Sequence, residues 1–323
     1  MNYHRYNIQK IVVILVLVLS IITCSIALFD TESVFGATKP MATAYDYPVR
    51  PGSTEWSKFN TRIEKINACQ IPERLLESLP TKALVETVMN YPLLIDMVVR
   101  DTKLEGFKSL LRFFNGLQEL VERPDAFHEL ENYKTMLYEN TATDIETSLK
   151  KGYIEYLYIG LINQQANPVN PQYSTSTVYT PMGTPVSTLY NLSWFDHGLT
   201  PAQANYYNDE LKLAYPNADP LREEYPSYNC HSYAWHSTSS TNKHWINNPN
   251  VYMTDGSYTS GIAQAGSKVY YGNIANHSGR VVYVGASMYN VKIYSKWGNL
   301  GMYSHNILDC PYAEGSYTCS FWK

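Results

Sequence analysis

The chain has 323 residues, 45% of them hydrophobic, and a formal charge of −4. That is enough apolar material for two ordinary domains with cores, which excludes disorder as the overall state. No basic footprint of the kind that phosphate-backbone binding needs is present, so nucleic acid is excluded as the expected partner.

The first residues read as an address. His4, Arg5 and Lys10 precede an uncharged run from Ile11 to Leu28, followed by small and polar residues. This is the layout of an export signal, with Val34 and Gly36 suiting cleavage after Gly36 and a leader of residues 1–36. The run is also long enough to serve as an anchor, so membrane attachment is expected only if the leader stays uncleaved. The expected location is secreted, including association with the cell surface.

From about Trp56 to Ile162 the pattern is helical, and residues 45–163 read as an all-α domain of four to six short helices. Between Lys103 and Glu122, residues Leu104, Phe107, Leu110, Leu111, Phe114, Leu117, Leu120 and Val121 recur at three- and four-residue steps, one stripe of a helix. Thr81 is expected to cap the helix that follows it, with Pro92 and Pro124 in the first turns of later helices. Nothing in this half gathers His, Cys and carboxylates for chemistry. Residues 164–195, rich in Pro, Ser, Thr and Asn, read as a linker or extended arm.

The last part, residues 196–323, opens with Thr200, Pro201 and Gln203, a capping-box pattern for a helix ending near Pro216. Val281 and Tyr283, then Val291 and Ile293, alternate as strand residues do, and "GASMYN" between them can turn a hairpin. The expected fold class is α+β: the all-α domain, then helices packed on an antiparallel sheet. Without the leader, Cys69, Cys230, Cys310 and Cys319 remain, an even number in an oxidising setting. Two disulfides are the plain expectation, with Cys310 and Cys319 able to close a short loop.

Cys230, in "YPSYNCHSYAWHS", has a second reading. A cysteine in the first turn of a helix has its thiolate favoured by free N–H groups and the macrodipole. A distant imidazole can take the thiol proton and later return it to a leaving group. His277, at the start of the apolar strand in "NHSGRVVYV", suits that role. A third polar group must fix its tautomer, and Ser295 on the next strand is the first choice, with Asn276 and His305 as alternatives.

The segments "YNCHSYAW", "AGSKVYY", "NHSGRVVYV" and "VKIYSKWG" together resemble the core of the NlpC-type and CHAP-type papain-like cysteine amidases, many of which cut peptide bonds of bacterial cell walls. The likeness spans about 120 residues from Thr200 onward and leaves the helical half unaccounted for. It implies a papain-like domain with Cys230 as nucleophile and His277 as base, and no metal or organic cofactor. The third family position falls near Ser295 or Lys296, neither a usual occupant. Tyr228 would donate to an oxyanion with the Cys230 N–H; Trp297 reads first as a core or rim residue and second as a residue lining the cleft. Together with the export signal, the resemblance points to cell-wall peptide or peptidoglycan as substrate. Two other readings stand beside it: a non-catalytic wall- or partner-binding protein that keeps the fold, and a zinc hydrolase using Cys230, His277 and His305.

Overall fold

The computed structural model describes residues 43–142, 144–165, 174–192, 199–222, 227–314 and 319–323. The leader, Pro226 and part of the expected linker lie outside them. Among the described residues no helix is long and apolar enough to cross a membrane.

Among the described residues, the α-helices of the first half are α1 (Arg62–Ala68), α2 (Glu73–Ser78), α3 (Thr81–Met89), α4 (Lys103–Phe113), α5 (Asn115–Glu122), α6 (Ala126–Glu139) and α7 (Ile145–Gln165). Thr61 with Glu64 and Thr102 with Glu105 form reciprocal capping boxes that start α1 and α4, satisfying N–H groups the helix itself cannot. Thr81 does not cap. It is the first residue of α3, after Pro80, and its hydroxyl donates to Asp125 at 2.8 Å.

The stripe from Lys103 to Glu122 is two helices rather than one. Phe114 leaves helical geometry at φ −111° and ψ 111°, and its ring stacks on Tyr91 at 3.8 Å. The Asn115 side chain then bonds both backbone groups of Ile71. Periodicity cannot see such a break, because the apolar spacing continues through it. Helix α4 packs against α7, where a Cβ on Gly160 would lie 2.1 Å from the Phe107 ring; only glycine permits that approach.

Strands β1 (Thr175–Tyr179) and β2 (Pro185–Tyr190) form an antiparallel hairpin inside the segment expected to be a linker. Its Ser/Thr-rich alternation buries Val178, Val186 and Thr188, and β2 pairs with β4 (His244–Trp245). Helix α8 (Pro201–Ala214) starts with the expected Thr200–Gln203 box and Pro201.

Among the described residues the main sheet has seven antiparallel strands in the order β3-β9-β8-β7-β6-β10-β5. They are β3 (Asp219–Arg222), β5 (Ser260–Gly261), β6 (Lys268–Tyr270), β7 (Ser278–Val284), β8 (Val291–Lys296), β9 (Met302–Asn306) and β10 (Ser320–Trp322). The expected hairpin is β7–β8, with Val281 opposite Ile293 and a bulge just after. The mixed α+β class holds.

One hydrophobic core spans both halves, joining Leu84, Met97, Phe107 and Leu157 of the helices to Val281, Ile293, Trp297 and Tyr303 of the sheet. Its margin is polar. Lys65 bonds Asp309 at 2.5 Å with neither side chain exposed, and Arg62 bonds Asp96 at 2.8 Å, also buried. The Tyr215 hydroxyl donates to the second Asp96 oxygen, and Trp56 Nε1 donates to Ala214 O. Burial opposes the Arg62 cation most strongly, but Asp96, Tyr215 and Tyr91 together outweigh it and the net shift strengthens the charge.

No disulfide forms among the described cysteines. Cys310, expected to pair with Cys319, is buried in the core, with Ile307 O 4.0 Å from its sulfur. Burial pushes its thiol up to about 12.

Removing one partner of a buried ion pair strands the other charge, whereas replacing both with apolar groups avoids that cost. Lys65→Met should therefore cost about 3–5 kcal/mol in urea denaturation, and Lys65→Met with Asp309→Leu should recover most of it.

Candidate functional site

Cys230 opens a helical run that passes into a π-helical turn at Ser232–His236. Asn229 starts the run: its Oδ1 accepts from the backbone N–H of Ser232 and Ile246, and its Nδ2 donates to Ile246 O and to Asp101 Oδ2, both at 2.8 Å. An Asn just before a helical segment is a legible cap signal. Its tie to Asp101, 128 residues away, is not.

Cys230 is 2% exposed. Burial, and then the charge of Asp101, push its thiol well above the ordinary value; backbone groups of Ser278 and His231 and the Lys296 ammonium work in the other direction and lose. Its thiolate is therefore not the resting form, although the first-turn position favours it.

Three histidines are fully buried among the described residues: His231, His277 and His305. Two of them are locked in matching chains. Trp235 Nε1 donates to Ser278 Oγ at 2.8 Å, Ser278 meets His231 Nδ1 at 2.8 Å, and His231 Nε2 reaches Asn276 Oδ1 at 3.1 Å. Likewise Trp297 Nε1 donates to Ser295 Oγ at 3.1 Å, Ser295 meets His305 Nε2 at 2.8 Å, and His305 Nδ1 reaches Asn306 O at 3.0 Å. Since a carbonyl only accepts, His305 carries its proton on Nδ1 and Ser295 donates to Nε2; the same logic puts the His231 proton on Nε2. Burial lowers both imidazoles to about 4, so both are neutral at pH 7.

His277 differs. Neither ring nitrogen has a hydrogen-bond partner, and burial first, then His305, His231 and Arg100, hold its pKa well below 6.5. Its ring stacks flat on Tyr312, with centroids 3.4 Å apart and planes at 5°. Ser278 directs its side chain to the Cys230 run through His231 and Trp235. Successive strand residues face opposite sides, and His277 continues the strand through the bond from Tyr271 N–H to its carbonyl. Its ring therefore lies on the face opposite the Ser278 side chain, and neither of its nitrogens bonds Cys230.

The sequence-derived third residues are engaged elsewhere: Ser295 with His305, Asn276 with His231, and His305 with Ser295 and Asn306. Trp297 does not line a cleft. It is fully buried, stacked on Tyr303 at 4.0 Å. Tyr228 is buried in a small cluster with Tyr233 and Met302, 5.5 Å below the Lys296 ammonium. The zinc set Cys230, His277 and His305 does not converge: no group of three metal-ligating side chains occurs among the described residues, and both His305 nitrogens are already bonded.

Sequence reasoning missed the contribution of the helical half. Arg100 donates to Ala275 O at 2.6 Å and to Pro311 O at 2.9 Å, with its guanidinium 4.6 Å over the Tyr312 ring. The Tyr312 hydroxyl donates to Val99 O at 2.5 Å. Arg100, Asp101, Glu105, Asn276 and Tyr312 wall a cavity of about 200 Å³. No family model matches the chain, and no curated protein or solved structure matches it either.

Asp101 has a readable consequence. Burial and the nearby Glu105 raise its carboxyl from 3.8 to about 7 against the Asn229 hydrogen bond. Below its ordinary value the group is protonated in both folded and unfolded chains. As pH rises from 3.8 to 7 the unfolded chain ionises first, which destabilises the fold. Asp101→Asn should match the wild-type melting temperature near pH 4 and exceed it by a few degrees above pH 7. At pH 8 it should also speed Cys230 alkylation by iodoacetamide, since a charge that opposes the thiolate is gone.

Proposed function

We propose that the chain is an exported thiol hydrolase with a papain-like site in its second half, acting on amide bonds of cell-wall peptides. Cys230 is the nucleophile and His277 the base. The observation that carries this reading is the contrast among the buried histidines. His231 and His305 have both nitrogens satisfied, as structural histidines do, while His277 alone keeps two bare nitrogens. An unpartnered buried polar group costs about 1–3 kcal/mol, a cost that a working base would explain.

The resting pair is a neutral thiol and a neutral imidazole. In the reactive arrangement His277 takes the thiol proton as sulfur bonds to the amide carbon. The imidazolium then gives that proton to the leaving amine as the C–N bond breaks. Water, deprotonated by the same ring, cleaves the thioester and regenerates the thiol. No step needs a metal or an organic cofactor.

A second reading is a non-catalytic wall- or partner-binding protein with the same fold. The burial of Cys230 and the lack of a hydrogen bond between it and His277 favour it.

Hydrolysis of purified peptidoglycan separates the two. The enzyme reading requires that Cys230→Ala and His277→Ala each lower turnover by about a hundredfold or more while the melting temperature stays close to wild type. It also requires that activity not fall as pH drops through 6.5, because the His277 ring stays neutral there. Wall binding retained by all three proteins without any turnover would establish the binding module.

A further inference from the structure

The His277 ring is buried and unbonded at both nitrogens, yet it is held in one plane. The stack on Tyr312 holds it, and Tyr312 is in turn held by the helical half through Val99 and Arg100. Arg100 bonds the carbonyl two residues before His277 and the carbonyl just before Tyr312. One guanidinium thus staples the two loops that carry the stacked rings.

The segment behind this staple has nowhere to slide. Gly298, at φ +49°, sits so close that a Cβ there would lie 2.2 Å from Val99 O. Asp101 fastens the other side through Asn229, the residue before the nucleophile. Arg100 and Tyr312 also wall the 200 Å³ cavity, so moving them would open His277 to it. Arg100 Nε has no partner, so the staple itself leaves a polar group unsatisfied.

We propose that the Arg100–Tyr312 contact is a latch: the helical half pins the His277 ring flat on Tyr312, and displacing Val99–Asp101 frees the ring to reach the Cys230 sulfur. The helical half is then an intramolecular inhibitor of the site. This rests on the catalytic reading of Cys230 and His277.

The test uses the full chain without its leader and two readouts, iodoacetamide alkylation of Cys230 and peptidoglycan hydrolysis. Arg100→Gln removes both carbonyl bonds, and Tyr312→Leu removes the stack. Either should raise the alkylation rate about tenfold, as expected for roughly one unit of thiol pKa, and shift its pH dependence to lower pH. Adding His277→Ala should abolish the gain. A gain that survives His277→Ala is mere loosening and overturns the latch, as does an unchanged rate in a folded variant. If both variants misfold, Gly298→Ala, which pushes Val99 away from the sheet without touching the site, gives the same readings.

The two proposals fail differently. A His277-dependent gain without any wall hydrolysis leaves the latch standing and refutes the wall substrate. Full wall hydrolysis by the unmodified chain, with no gain in the variants, refutes the latch and leaves the hydrolase.

Discussion

Charges buried where the helices meet the sheet must be paired, and that constraint sets the rest of the structure. Lys65 is paired with Asp309 at zero exposure, and Arg62 with Asp96 at 1% exposure. Asp309 lies in the chain that follows β9, three residues before Tyr312. Arg62 also reaches Ala313 O at 3.3 Å and its backbone N–H bonds Leu308 O. The helices therefore grip the loop that carries Tyr312 at both ends. A purely apolar seam could tolerate sliding; paired charges with fixed hydrogen-bond directions tolerate it far less.

The electrostatics of the site follow from that enclosure. Burial raises the Cys230 thiol and lowers the His277 imidazole, so both groups rest in the form that carries no charge. No hydrogen bond from His277 holds a preformed ion pair in place. The two Trp–Ser–His chains show the alternative arrangement for a buried imidazole, in which every polar atom is used. His277 departs from that pattern at the position where the sequence resemblance puts a base.

Much of this was legible from the residues. The helical half, the capping boxes at Thr61 and Thr200 and the β7–β8 hairpin all depend on spacing within a few residues, which a sequence displays directly. Cys230 opens a helical run and His277 a strand, as their contexts suggest. The break at Phe114 and the hairpin inside the Ser/Thr-rich segment were hidden, since each depends on a distant partner: Tyr91 and Ile71 for the first, His244 and Trp245 for the second. The partner of Ser295 was hidden for a related reason. A hydroxyl on β8 bonds whichever ring is within reach, and that ring belongs to His305.

The amino-acid sequence alone determined the class of each half and which side chains are chemically able to form a thiol–imidazole pair, because those properties reside in residue type and local period. Tertiary structure decided what such a pair does at rest. Face, burial and stacking place His277 on Tyr312 rather than on Cys230, under Arg100 from a segment more than two hundred residues away from Tyr312. The energies that set protonation and orientation come from neighbours brought together only by folding, and no local pattern encodes them.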